Sequence, residues 1–232
     1  MLITELKNDL PKISPVKEIM SIYIQGINPN IANRNGFIYE LICSPGSGKS
    51  SLLLSLFRSK NYYKNKFNHI YLITPESSFL SVENHPFKDH TKVFHDLNSY
   101  TLENIYNELV EIKKEDLDYN YEIEHACVIV DDFASDLKDK ELIKASKQLL
   151  IKSSHIGCSF IFTLQCYNLF PLILRKLLTS ISLFKPKNKI ELESVRRELI
   201  NLNEQDTLEL MDFVFDKEYN HLDIDTNTAK LP

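Results

Sequence analysis

The chain has 232 residues, 43% hydrophobic and 25% charged, with a formal net charge of −5. That length suits one domain, or one domain with an appendage, and a core large enough to need no disulfide or structural metal. The negative balance excludes a general polycation, so contact with nucleic acid would have to come from local basic patches or from assembly. Cys43, Cys127, Cys158 and Cys166 form no CxxC pair and are expected as free, mostly buried thiols in a reducing compartment. His85, His90 and His95 are evenly spaced but lack cysteine partners, which argues against zinc. The chain has no apolar run long enough to cross a bilayer and no secretory core. A soluble, intracellular protein without a transmembrane segment is expected.

Residues 1–33 carry Pro11, Pro15 and Pro29 and little periodicity, and are read as an N-terminal arm leading into a domain over 34–232. From there short apolar runs alternate with helical patterns, as in a parallel sheet with crossover helices. The expected strands are Gly36–Ile42, His69–Thr74, a short Lys92–Phe94, His125–Val130, Cys158–Leu164 and Ile181–Phe184. Few of them alternate with polar residues, which fits strands covered on both faces. The expected helices are Ser50–Ser59, Leu102–Lys114 with Thr101 as N-cap, Asp139–Ser153, Pro171–Leu178 and Ile190–Asn201. The stretch NEQDTLELMDFVF adds a last helix and HLDID a terminal strand.

Three strand ends carry chemistry. The first is CSPGSGKSS, Cys43–Ser51, between an apolar strand and a helix. Gly46 and Gly48 permit a sharp turn in which backbone N–H groups of Gly46–Ser51 surround phosphate. Lys49 stands where an ammonium reaches the β- and γ-phosphates of ATP, and Ser50 offers a hydroxyl to Mg²⁺. The nucleotide contacts are therefore expected from Pro45, Gly46, Ser47, Gly48, Lys49, Ser50 and Ser51. Cys43 occupies the position where the strict pattern has its first glycine, which a small side chain with ordinary torsions can fill. The second strand end is Ala126–Val130 followed by Asp131 and Asp132. Asp131 is in place to hold the metal through water, and Asp132 to act as general base. The pair could instead cap a strand-to-helix turn. The third strand ends in Gln165, expected near the γ-phosphate if this strand runs between the other two, or merely the first loop residue.

These stretches, with SHIGCSFIFTLQCYNLFPLILRK and SISLFKPKNKIELESVRREL, resemble the genome-packaging ATPases of large DNA viruses and virophages, poxvirus-type enzymes of the FtsK–HerA superfamily. The resemblance implies an α/β fold, a P-loop NTPase three-layer sandwich of additional-strand, RecA/FtsK-like type with a mostly parallel central sheet. It further implies a homo-oligomeric ring, pentamer or hexamer, around double-stranded DNA, ATP hydrolysis driving that DNA into a preformed capsid, and docking on a capsid or membrane component. The place of action implied is a viral factory in the host cytoplasm, and the virion. Lys49 and Ser50 take the first motif's roles, Asp131 and Asp132 the second's, and Gln165 the sensor's.

This sequence departs from the family pattern at Ser154, where the family has Arg, and in the Arg–x–Asn pattern, met only by Arg175. Ring ATPases need a cation supplied across the subunit boundary. Among the five arginines, Arg34, Arg58, Arg175, Arg196 and Arg197, Arg175 is the candidate, with a surface salt bridge as its other reading and Lys152 as a substitute point charge. RSKNYYKNK (58–66) and KPKNK (185–189), the latter followed by Arg196 and Arg197, are candidate sequence-independent DNA contacts or plain solvated faces. In the first cluster Tyr62 and Tyr63 could meet backbone and sugar. Two alternatives share the phosphate loop: a nucleoside or nucleotide kinase, disfavoured by the scarcity of arginine, and an ATP-binding scaffold with weak turnover.

Overall fold

The structure, a computed structural model, describes residues 23–28, 30–81, 87, 91–119, 124–133, 136–200 and 202–226. Residues 1–22 of the expected arm, His85 and His90 lie outside them. In chain order the strands are β1 (Ile38–Ile42), β2 (His69–Ile73), β3 (Thr91–Phe94), β4 (Ala126–Asp131), β5 (Cys158–Leu164), β6 (Ser180–Phe184) and β7 (His221–Asp225). The helices are α1 (Lys49–Arg58), α2 (Glu76–Leu80), α3 (Ser99–Tyr119), α4 (Lys140–Ile151), α5 (Leu172–Arg175), α6 (Lys189–Val195) and α7 (Glu204–Val214).

One seven-stranded sheet has the order β3-β2-β4-β5-β1-β6-β7. Every pairing is parallel except β6 with β7, which closes one edge antiparallel. The strand bearing Gln165 thus runs between the strand of the phosphate loop and the strand of the two aspartates. All three chemical strand ends lie together at the C-terminal edge of the sheet, where open α/β sheets place their ligand crevice.

The lack of alternation in the strands has a direct cause, since both faces are covered. On β1, Ile38 and Ile42 face a core shared with Leu102, Ile105 and Leu109 of α3 and Leu142, Leu149 and Leu150 of α4. Tyr39 and Leu41 face the opposite core with Leu53, Leu54, Leu56 and Phe57 of α1. Helix–sheet–helix layering follows from residues of opposite parity pointing to opposite faces. Part of the expected arm joins this second core: Tyr23 bridges to Arg34, and Ile24, Ile27 and Ala32 are buried.

Some local expectations change. Helix α3 begins earlier than expected, and its N-cap is Asn98, whose Oδ1 accepts the Thr101 N–H at 2.9 Å, so Thr101 is a helical residue and not the cap. Asn ranks above Thr as a capping residue, and the Thr101 side chain is buried within the first turn. The helix expected over Ile190–Asn201 is α6 followed by a π-turn at Arg196–Ile200. That over Pro171–Leu178 shortens to one turn after Pro171, and α2 was not anticipated. Tyr63 is buried, stacked on Phe37 with centroids 5.5 Å apart, and donates its hydroxyl to Ala32 O at 2.8 Å. It is a core residue and unavailable to DNA.

Candidate active site

The loop between β1 and α1 has the backbone its sequence implies. Gly46 and Gly48 have φ of 80° and 97°, torsions that an L side chain resists. Gly48 caps α1 without a side-chain hydrogen bond, and the first turn holds no acid. The amides entering α1 therefore face the cleft as a positive helix terminus suited to an anion. Cys43 is buried, donates its N–H to Leu164 O at 3.0 Å and is absent from the described non-glycine residues with positive φ, Asn65, Asp132 and Tyr219. Burial pushes its thiol up to about 11, against the opposing pull of Lys49. It is thus an inert filler in ordinary torsions. All four cysteines are free and three are buried; Cys166 is half-buried.

The cleft beside the loop has a volume of about 780 Å³. Register explains how its acids are placed. Asp131 on β4 pairs with Thr163 on β5, which in turn pairs with Leu41 on β1. The Thr163 hydroxyl donates to Asp131 Oδ1 and accepts the Asp132 N–H at 3.3 Å. One buried hydroxyl thus fixes the Asp131 carboxylate and the backbone of its neighbour. Asp132 has left the strand with φ of 63°, which turns its carboxylate over the loop. There its Oδ1 lies 3.5 Å from Lys49 Nζ and accepts the Gln165 amide at 3.0 Å. The structure therefore brings Lys49 and Gln165 onto one Asp132 oxygen, with Gly46, Gly48, Ser50 and Ser51 lining the same cleft.

Arg175 is not part of that cluster. Its Nη1 donates to both Glu198 carboxylate oxygens, at 2.8 and 2.9 Å, and its guanidinium lies 4.7 Å from the Tyr167 ring centroid. Lys152 likewise donates to Tyr106 OH at 3.0 Å. None of the five arginines lines the cleft. Of the basic clusters, Lys60, Lys64, Lys185, Lys187 and Lys189 are exposed, whereas Arg196 and Arg197 are both committed to Glu193.

Three features escaped the sequence reading. Thr163 was visible only as a polar residue late in an apolar strand. Glu40 sits fully buried in the middle of β1, with neither carboxylate oxygen hydrogen-bonded. Burial holds its pKa well above the usual range, partly opposed by Arg175 and reinforced by Glu191 and Glu198. A carboxylate inside GFIYELIC was its signal. Phe184 and His221, paired across β6 and β7, lie with ring centroids 5.2 Å apart and planes tilted by 30°, and Tyr219 lines the same cleft beside Gly48. No motif marks these aromatics, because they meet the loop only through the sheet edge. His221 is held above its ordinary pKa, chiefly by its hydrogen bond to Asp223.

For Mg²⁺, the donors on offer are the Ser50 hydroxyl at the start of α1 and the Asp131 carboxylate. Both are hard oxygens of the kind that ion accepts, and Thr163 supports the second. Among the described residues no group of three or more His, Cys, Asp or Glu side chains forms a metal cluster, and His95 instead meets Thr74 O through Nδ1 at 3.0 Å. No helix among the described residues is long and apolar enough to cross a membrane.

Comparison with known proteins supplies the family. Among solved structures, the DNA-packaging ATPase B204 from Sulfolobus Turreted Icosahedral Virus superposes with a TM-score of 0.59 at 19% identity, over 85% of this chain and 96% of that one. The genome packaging NTPase B204 from Sulfolobus turreted icosahedral virus 2, in complex with ATP-gammaS, gives 0.57 at 18% identity, over 85% and 96%. EssC ATPases 2 and 3 from Geobacillus thermodenitrificans give 0.52 at 15%, over 69% of this chain and 34% of that one. These likenesses fix the fold, a P-loop packaging-ATPase sheet. No curated protein matches the sequence. A family model described as Poxvirus A32 protein matches residues 29–225, nearly the whole described chain, and the protein belongs to that family.

Proposed function

We propose that this protein is an ATP-hydrolysing motor that moves double-stranded DNA into a viral capsid. The single observation that carries the reading is the convergence of Lys49, Asp132 and Gln165 over a glycine-turned helix N-terminus, with Asp131 held alongside. Backbone amides of the loop and Lys49 bind the triphosphate. Ser50 and Asp131 would hold Mg²⁺, which would supply positive charge to offset that of the polyphosphate. A triphosphate competes with Asp132 for Lys49. Asp132, released from that ion pair, then accepts the proton of a water whose oxygen bonds to the γ-phosphorus as the bond to the β–γ bridging oxygen breaks and ADP leaves, and Gln165 keeps its carboxylate aimed. The B204 protein of the second Sulfolobus virus has been seen with ATP-gammaS, which supports a triphosphate here.

Assembly into a homo-oligomeric ring, pentamer or hexamer, puts the exposed Lys185, Lys187 and Lys189 of each copy near one another, so that modest patches add up on the DNA phosphates. Docking to a capsid or membrane component places the motor in the viral factory and the virion. Arg175 or Lys152 can serve as the cation supplied to a neighbour only by leaving Glu198 or Tyr106.

The test is ATP turnover by the assembled chain with and without duplex DNA. Lys49→Ala abolishes hydrolysis with the fold intact by circular dichroism. Duplex DNA raises the wild-type rate, and added salt removes the increase. A rate indifferent to DNA in the assembled protein refutes translocation while leaving the ATPase. Phosphate transfer to a nucleoside refutes the motor altogether.

A further inference from the structure

We propose that Glu191 is a positioning residue that ties the basic stretch Lys185–Lys189 to Gln165, so that contact of those lysines with DNA sets the aim of Gln165 in the cleft. It rests on the motor reading above and deepens it, by joining the surface that meets DNA to the residue that faces the γ-phosphate.

Glu191 is an unusual residue to find buried. It lies in the first turn of α6, the helix that Lys189 opens, and is only 4% exposed. A carboxylate is rarely so enclosed unless its oxygens are used. Asn188 caps α6, its Oδ1 accepting the Glu191 N–H at 2.8 Å. An acid three residues past such a cap ordinarily returns to the cap's own N–H. Glu191 Oε1 instead crosses to another segment and accepts the N–H of Tyr167 at 2.9 Å. Burial raises the pKa of the Cys166 thiol, and the Glu191 carboxylate raises it further, by its charge and by a hydrogen bond. Glu191 therefore grips the two residues that directly follow Gln165, whose own amide donates to Asp132 Oδ1 at 3.0 Å.

The grip is doubled. The Tyr167 hydroxyl donates to Glu198 Oε2 at 3.0 Å, and the same carboxylate holds Arg175. Glu198 lies on the π-turn Arg196–Ile200 that continues α6, a distortion often kept at functional sites. Tyr167 is thus clamped at its backbone and at its ring by one continuous segment, 189–200. That segment is joined to the end of β6 by residues 185–188 alone. Lys185, Lys187 and Lys189 are exposed, and among the described residues none of them is ion-paired. A DNA phosphate drawn to them bears on α6, and a shift of α6 reaches Gln165 through the bonds on Tyr167. A misplaced aligning group costs rate, about 100-fold for a shift of about 1 Å.

The experiment measures ATP turnover by the full-length chain, in Mg²⁺, with and without duplex DNA. It compares wild type, Glu191→Met, which keeps the length and loses the acceptor, and Glu191→Gln, which keeps an acceptor oxygen. Hydrogen exchange of the Tyr167 amide is followed in wild type with and without the same DNA. The expected result is that Glu191→Met lowers the DNA-stimulated kcat by about 10- to 100-fold with KM for ATP unchanged, that Glu191→Gln restores it, and that DNA slows the Tyr167 exchange. A DNA response in Glu191→Met equal to that of wild type overturns the link, and so does an equal loss in Glu191→Gln. A raised KM with kcat preserved also overturns it, because that marks lost binding and not lost aim. Should Glu191→Met fail to fold, the exchange decides: a Tyr167 amide indifferent to DNA, in wild-type protein whose turnover DNA raises, overturns the link alone. Wild-type turnover indifferent to DNA refutes the motor reading, and the link with it.

Discussion

Thr163→Val tests how the acid pair is held. The side chain is fully buried and Val has nearly its shape, so packing is conserved while one hydroxyl disappears. That hydroxyl makes two bonds, a donation to the Asp131 carboxylate and an acceptance of the Asp132 N–H. A hydrogen bond to a charged group contributes about 1.5–3 kcal/mol, and an N–H left without a partner costs at least about 1 kcal/mol when buried. Both aspartates are half-buried, so water recovers part of each loss, and a net destabilisation of about 2 kcal/mol is expected. For a chain of this length that lowers the melting temperature by about 4–8 °C. On the proposal that Asp131 holds Mg²⁺, the larger effect falls on the metal. Removing the partner that orients a metal acid costs about 10- to 100-fold in metal affinity. Asp132 also loses a tether that helps hold its left-handed backbone, a conformation costing about 1–2 kcal/mol. The assay is nucleotide binding titrated with Mg²⁺ at fixed ATP. Thr163→Val should shift the Mg²⁺ midpoint upward by about 10- to 100-fold, leave Mg²⁺-free nucleotide binding unchanged, and be rescued by Thr163→Ser. An unchanged Mg²⁺ midpoint in a variant with the expected loss of stability refutes the reasoning, for the hydroxyl would then hold only the strand end.

Other perturbations follow from the same structure. Glu40, buried with a pKa raised above its unfolded value, contributes most stability in its protonated form, below about pH 4.5, and loses it as pH rises toward the folded pKa, by about 1.4 kcal/mol per unit. Glu40→Gln cannot ionise, so its melting temperature relative to wild type should rise from pH 5 to pH 8; a difference independent of pH contradicts a neutral buried acid. Asn98→Ala removes the cap of α3 and should cost about 1 kcal/mol in chemical denaturation, whereas Thr101→Ser should leave the cap intact because the Thr101 side chain does not make it.

Much of the fold was legible because the sheet is covered on both faces. Continuous apolar runs such as Cys127–Val130 and Phe160–Phe162 leave few alternatives to buried parallel strands, and the β-strand, glycine turn, helix order of Gly36–Ser59 requires no distant partner to be recognised. Helix ends were less legible. Whether Asn98 or Thr101 caps α3 depends on which side chain remains outside the core, and Thr101 is 7% exposed. The π-turn after α6 and the burial of Tyr63 depend likewise on contacts with segments far away in sequence.

The sequence by itself determined the chemical types at three strand ends: the glycine-turned loop with Lys49 and Ser50, the acids Asp131 and Asp132, and Gln165. It could do so because each sits in a local strand-and-turn signal whose backbone needs are short-range. Only the tertiary structure decided which of those groups touch. Insertion of β5 between β1 and β4 puts Gln165 and Lys49 on one Asp132 oxygen, and puts Thr163 beneath both acids. Pairing of β7 with β6 carries Tyr219 and His221 back to a loop some 170 residues earlier in the chain. Tertiary packing also leaves Glu40 enclosed on β1 without a hydrogen-bond partner and ties Arg175 to Glu198, outcomes that no local pattern encodes.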